Sequence, residues 1–239
     1  MKKMLQTIIY VLALSVVFQA CSSDSDSSTD DGGTDDTMAP SIYEFFDADG
    51  NSTVVYSGQV VRNLLITDIK SLVTSDPTLL VGMYNNDEAN QARSITSGTG
   101  SLPTVQSTYG DISSSNLSGK IAKSADGYLT DVTVGNLGME PDALMGVMFE
   151  MASVGTGYDD TGVDIAQFLQ KTLMGTVSYY QGTTKYLGLL FDKDNTTASD
   201  PANGKYYTDM EHYWDESFGY FGASADYNLR TDAEIASTV

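Results

Sequence analysis

Apolar side chains recur at helical spacing in three stretches of the chain. From Gly58 to Val73 they stand at positions i, i+3, i+4 and i+7, with Pro77 just beyond, so the pattern predicts an amphipathic helix that stops before the proline. A second helix is predicted over Pro141–Ala152, because proline is favoured in a first helical turn. A third is predicted over Val163–Gln181, where one stripe carries Ile165, Phe168, Leu169, Leu173 and Val177.

Gly175 lies inside the third predicted helix. Glycine costs about 1 kcal/mol relative to alanine in a helix interior. Its presence there predicts that a neighbouring helix approaches closely at this point.

Shorter patterns complete the assignment. Thr78–Tyr84 is predicted to be a short helix, and Gly50 marks a turn between two short extended segments, as in a hairpin. Residues 192–207, DKDNTTASDPANGKYY, are predicted to be a loop. Thr208 begins the last helix, since Thr-Asp-Met-Glu fits a capping box in which Glu211 reaches back to the Thr208 amide.

Together these elements predict an all-α fold, an irregular helical bundle with long loops that occupies residues 41–239. Apolar residues make up 41% of the chain, which is ample for a packed core. The formal net charge of −20 repels phosphate backbones, and no basic patch interrupts it, so the charge excludes nucleic acid as a partner.

The N-terminus has the pattern of an export signal. Lys2 and Lys3 precede an apolar run, Ile8–Phe18, which is too short to cross a hydrocarbon layer of about 30 Å. Residues 1–20 are therefore predicted to be a signal peptide that also forms a helix. The Phe-Gln-Ala-Cys sequence that ends it resembles a bacterial lipobox, with Cys21 as the lipid attachment site.

Cys21 is the only cysteine in the chain. Once it carries lipid, the folded part has no thiol for disulfides, catalysis or metal binding. Its acyl chains would be the contact with the membrane.

Residues 21–40 consist mainly of Ser, Asp, Gly and Thr. They bury too little apolar surface to offset the entropy of ordering, which predicts a disordered tether. The expected location is the cell envelope, lipid-anchored to the outer membrane. The acidic residues after Cys21 resemble tracts that direct some lipoproteins to the cell surface, and a plain acidic spacer is the equal alternative.

One stretch, EHYWDESFGYFG, contains the only histidine and the only tryptophan. On a helix, His212 and Glu216 share a face and Asp215 lies on its edge, so the three can form a metal site if other groups complete it. Alternatively, His212 only hydrogen-bonds Glu216 or Asp215, and the nearby aromatic residues pack in the core, namely Trp214, Phe218, Tyr220 and Phe221. No nucleophile motif accompanies the histidine, so the sequence gives no support for an enzyme.

Four segments resemble a known family: YSGQVVR (56–62), KTLMGTVSYYQ (171–181), DNTT (194–197) and MEHYWDESFGYFG (210–222). They are similar to signatures of the outer-membrane lipoproteins called domain of unknown function 4856. The resemblance implies a largely helical fold, distantly similar to the imelysin-type bundles associated with iron or haem uptake. In those bundles the marked motif is His-x-x-Glu, whereas this chain has aspartate at the last position, Asp215.

The resemblance also implies further helices after this motif, so we expect the helical domain to be incomplete at its C-terminus, with an open apolar face at Trp214. The leading hypothesis is a binding or accessory lipoprotein in iron or haem acquisition, with uptake or surface proteins of the outer membrane as partners. The alternative is a structural or protein-interaction lipoprotein without a metal site. A hydrolase acting through Glu211, Asp215 or Glu216 is the least favoured hypothesis.

Overall fold

The computed structural model describes residues 40–94, 108–111, 116–128, 133, 138–155 and 157–237. The predicted signal peptide, Cys21 and nearly all of the predicted tether lie outside these residues. Among the described helices, none combines the length and the apolarity that a membrane span requires.

The first helix, α1, spans Ser57–Ser75 and confirms the prediction made from the apolar spacing. Its inward positions include Val61, Leu65 and Ile69, which are completely buried. The helix ends at Asp76, where the backbone leaves the helical region directly before a proline, which disfavours helical geometry in the preceding residue.

Six further α-helices follow in the described part of the chain. They are α2 (Leu80–Asn85), α3 (Glu88–Gln91), α4 (Pro141–Val154), α5 (Ile165–Leu173), α6 (Asp209–Phe221) and α7 (Asp232–Ser237). Short 3₁₀ turns lie at Pro77–Leu79, Ser124–Asp126, Leu190–Asp192, Pro201–Asn203 and Tyr227–Leu229. The predicted helices after Thr78 and at Pro141 are thus confirmed.

Helix α5 continues without a break into a π-helix, Met174–Leu187. In a π-helix each N–H bonds to the carbonyl five residues earlier, and such segments are rare and frequently occur at functional sites. The predicted stripe is confirmed, because Ile165, Leu169, Leu173 and Val177 are fully buried and Phe168 is partly buried against the same core. The wider turn was not predicted, since the apolar spacing fits an ordinary helix as well.

The prediction of a close approach at Gly175 is wrong. A Cβ at that position would meet nothing within 4 Å. The close approach lies at Gly182, where a Cβ would stand 3.4 Å from the Cβ of Tyr220 and 3.6 Å from the carbonyl oxygen of Ser217. The π-helix therefore packs on α6 through its second glycine.

A small antiparallel sheet corrects the prediction of an all-α fold and of a loop over 192–207. Strand β1 (Ala198–Asp200) pairs with β2 (Lys205–Thr208) across a turn that contains Gly204. The two strands of this hairpin are close in sequence. Their polar sequence lacks the alternating apolar residues that predict strands, so the hairpin was not predicted. The predicted turn near Gly50 is confirmed by an isolated bridge between Phe46 and Ser52.

Tyrosine hydroxyls that donate to aspartates recur around the core. The pairs are Tyr43–Asp215 at 2.7 Å, Tyr84–Asp142 at 2.6 Å, Tyr180–Asp126 at 3.1 Å and Tyr109–Asp68. In each tyrosine, burial raises the phenol pKa, and the neighbouring carboxylate raises it further. These hydrogen bonds give buried phenols the partners that they need.

Candidate functional site

Helix α6 carries the candidate site and is fixed at both ends by its own sequence. Its capping box is present, because the Thr208 hydroxyl accepts from the Glu211 amide at 3.2 Å and the Thr208 amide donates to the Glu211 carboxylate at 2.7 Å. Gly222 ends the helix with a φ of 80°, a conformation that glycine adopts without strain. The position of each side chain between these two ends, and the face of α6 on which it lies, are therefore fixed.

One face holds His212 and Glu216 together. The distance between Nε2 of His212 and Oε1 of Glu216 is 3.1 Å. The histidine ring also stacks on Tyr207 of β2, with the centroids 4.4 Å apart. Within the part of the chain that the structure describes, Nδ1 of His212 and Oε2 of Glu216 are buried without a hydrogen-bond partner.

The surroundings of Glu216 favour its charged form. Burial alone would raise its pKa, but hydrogen bonds from His212 and Tyr186 and the positive charge of Lys120 hold the pKa below its usual range. Burial, together with the charges of Arg62 and Lys185, in turn lowers the pKa of Lys120. The Glu216 carboxylate thus already has cationic neighbours.

Asp215 points to a different part of the fold. Its side chain is held by the segment before α1, since Oδ1 accepts from the Tyr43 hydroxyl and Oδ2 from the Val55 amide, both at 2.7 Å. The residue is 3% exposed. Burial raises the Asp215 pKa to about 6, despite the two hydrogen bonds, which oppose the shift.

A third face of α6 lies open and forms one wall of a groove. The groove has a volume of about 1040 Å³ and runs between α1, the α5–π-helix segment and α6. Its lining includes five aromatic residues, Tyr179, Trp214, Phe218, Tyr220 and Phe221. Trp214 is 49% exposed and Phe221 is 80% exposed, so the groove presents aromatic rings to solvent.

The charge of the groove differs from that of the rest of the protein. The chain has 32 acidic residues and only 12 basic ones, yet the described groove lining contains Lys70 and Lys171 and no acidic residue. Its other polar groups are neutral amides and hydroxyls, such as those of Asn63, Thr67 and Ser178. The groove is therefore mostly apolar, and its charged lining residues are positive.

A second, smaller pocket lies on the other side of Trp214. Its volume is about 310 Å³, and its polar lining residues are Asp215, Glu211, Asn195 and Thr53. Its apolar lining residues are Phe45, Leu190, Met210 and Trp214. The two cavities share the tryptophan but have opposite charge.

The structure brings together two of the three residues predicted to bind metal. His212 and Glu216 are in contact, whereas Asp215 binds Tyr43 and Val55. Among the described residues, no group of three or more His, Cys, Asp or Glu side chains is placed to share a metal ion. A metal site at His212, Asp215 and Glu216 stays a prediction.

The prediction that the aromatic residues of this stretch all pack in the core is wrong for two of them. Tyr220 is buried, but Trp214 and Phe221 are largely exposed. The helical spacing places them on the side opposite His212, where no described element covers them. The apolar face expected at Trp214 is present.

Two features of the site were not predicted from sequence. Tyr43 is 172 residues from its partner Asp215, so no local pattern connects them. The groove is lined by residues from three separated segments, so no local pattern in any one of them indicates it.

Fold and site together define a mostly helical domain that has a small sheet and an aromatic groove at the junction of α6 with a π-helix. The chain belongs to the family described as domain of unknown function (DUF4856), whose family model matches residues 40–234. Comparison with curated proteins and with solved structures gave no match.

Proposed function

We propose that this protein is a lipid-anchored binding protein of the bacterial cell envelope, and that its groove takes up a flat, largely apolar ligand with acidic groups, of the haem class. The observation that carries the proposal is the positive, aromatic lining of the groove in a strongly acidic protein. A role in iron or haem acquisition at the outer membrane follows from such binding, with uptake or surface proteins as partners.

The groove lining suits a porphyrin chemically. Aromatic walls such as Trp214 and Phe221 offer stacking surface, and the ammonium groups of Lys70 and Lys171 can pair with propionates. Tyr179 and Met174 also line the groove, and tyrosine and methionine side chains both serve as haem iron ligands in proteins. A bound haem would supply redox-active iron. His212 and Glu216 are not among the described lining residues, so this site is separate from the predicted metal pair.

The single tryptophan makes binding directly measurable. Haem or metal-free protoporphyrin that enters the groove is expected to quench Trp214 fluorescence, because the ligand would lie against the ring. Phe221→Ala removes an aromatic ring that is 80% exposed at the groove, and we expect it to weaken haem affinity by about tenfold, the equivalent of 1.4 kcal/mol. The measurement is a fluorescence titration supported by calorimetry.

The matched control is Phe191→Ala. Phe191 is 87% exposed but is not among the described groove residues, so its removal should leave the haem affinity unchanged. If Phe221→Ala and Phe191→Ala bind haem with equal affinity, haem adheres to exposed rings in general. That result, or an absence of quenching, would end the haem proposal.

The anchor is tested separately. We expect the full-length protein to partition with membranes when it is expressed in a bacterium that processes lipoproteins, and to incorporate labelled fatty acid. Cys21→Ser should abolish both, since the thiol is the acceptor of the lipid. Labelling that persists in this variant would contradict lipidation at Cys21.

The open groove also supports a second candidate, a protein-interaction lipoprotein with no metal site. Large exposed apolar patches mark binding surfaces for proteins as well as for ligands. If porphyrins do not quench Trp214 but Phe221→Ala weakens capture of an outer-membrane protein, this second function would replace the first.

A further inference from the structure

The smaller pocket beside Trp214 has a chemistry that the proposed function does not use. Two of its walls are aromatic, Phe45 and Trp214, and its acidic groups are Asp215 and Glu211. No basic residue is among its described lining. A ligand that matches this lining carries a positive charge and an apolar body.

We propose that this pocket binds a small organic ammonium ion, with its charge toward Asp215 and Glu211 and its alkyl groups against Phe45 and Trp214. Aromatic faces attract cations through the ring quadrupole, and quaternary ammonium ions are recognised by aromatic rings in this way. The volume of about 310 Å³ admits a ligand of a few carbon atoms and excludes a porphyrin.

Asp215 is fixed in position for this role. Its two oxygens accept hydrogen bonds from Tyr43 and from the Val55 amide, both at 2.7 Å, and a carboxylate retains further lone pairs after two such bonds. Glu211 is oriented by its hydrogen bond from the Thr208 amide. The acidic groups are thus preorganised by the segment before α1 and by the helix cap, which reduces the cost of ordering them on binding.

The test uses choline and its uncharged carbon isostere, in which a tert-butyl group replaces the trimethylammonium. Both are titrated into the full-length protein, with Trp214 fluorescence and calorimetry as readouts. We expect choline to bind at least tenfold more tightly than the isostere at neutral pH. Asp215→Asn should weaken choline binding at least tenfold, without affecting the isostere.

Asp209→Asn is the matched control, because Asp209 is an exposed carboxylate on the same helix that is not among the described pocket residues. A second variant, Phe45→Leu, removes one aromatic wall but retains an apolar side chain, so it tests the pocket without altering a buried charge. We expect it to weaken choline binding severalfold.

Equal binding of choline and its isostere would overturn the proposal. So would an absence of choline binding up to about 10 mM, a range that includes very weak ligands, or equal loss of choline affinity in Asp209→Asn and Asp215→Asn. These outcomes are independent of the haem titration, because that experiment depends on Phe221 and on the positive groove.

Discussion

Replacing Gly219 by alanine is expected to destabilise the protein by about 3 kcal/mol, the upper part of the usual range for overpacking. Gly219 lies in α6 where that helix crosses the start of α1. A Cβ there would stand 2.8 Å from the Cβ atoms of both Tyr56 and Gln59, and 3.1 Å from a ring carbon of Tyr56. Because Cβ atoms are attached to the backbone, rotating a side chain does not relieve this contact and the helices must separate.

The higher helix propensity of alanine offsets only a part of this cost, about 1 kcal/mol. Tyr56 also packs edge-to-face against Phe218 at 5.3 Å and Tyr43 at 5.7 Å, so moving it disturbs the aromatic contacts that hold the segment before α1. Urea denaturation measures the change in the free energy of unfolding.

Gly146→Ala is the matched control. Gly146 lies in α4, is exposed, and a Cβ there would have no neighbour within 4 Å. Alanine should therefore stabilise the protein by up to about 1 kcal/mol through helix propensity. If Gly219→Ala were equally stabilising, α1 and α6 would not be in the close contact described.

Local patterns predicted most of the helices because their causes are local. The apolar spacing of α1 and the capping box at Thr208 each depend on residues within a few positions of one another, and both are confirmed. The pairing of His212 with Glu216 belongs to the same class, since a separation of four residues on a helix brings side chains together. The family resemblance is confirmed over residues 40–234.

The remaining features depend on contacts between distant segments. The apolar positions of Met174–Leu187 also fit an α-helix, so the local pattern did not indicate the π-helix that the structure has there. Likewise, whether Gly175 or Gly182 approaches a neighbour depends on the rotation of that helix. The open face at Trp214 was expected from the family resemblance and not from the apolar spacing of α6, which would fit a packed ring equally well.

The second large effect is expected from Asp215→Asn, as a change in how stability depends on pH. Folding raises the pKa of Asp215 from 3.8 to about 6, mainly through burial. The folded state therefore binds the proton more tightly than the unfolded state. This contribution to stability is fully present below pH 3.8 and is lost as the pH rises through 6, a change of about 3 kcal/mol.

Asparagine should remove that change while keeping both hydrogen bonds. Its carbonyl oxygen can accept from the Val55 amide, and its amide group can donate to the Tyr43 hydroxyl, which is able to accept. We therefore expect the variant to be more stable than the wild type at neutral pH. This difference in stability should shrink as the pH falls, and it should vanish or change sign near about pH 4. Chemical denaturation at several pH values measures this difference directly.

Subtracting the free energy of unfolding of the wild type from that of Asp215→Asn at each pH isolates the contribution of Asp215. The other titrating groups contribute to both proteins and cancel. Glu216, whose folded pKa is lowered, acts in the opposite direction: its contribution is present at neutral pH and is lost as the pH falls. Parallel curves for the wild type and Asp215→Asn would mean that folding leaves the pKa of Asp215 near its unfolded value, which would contradict the burial of its side chain.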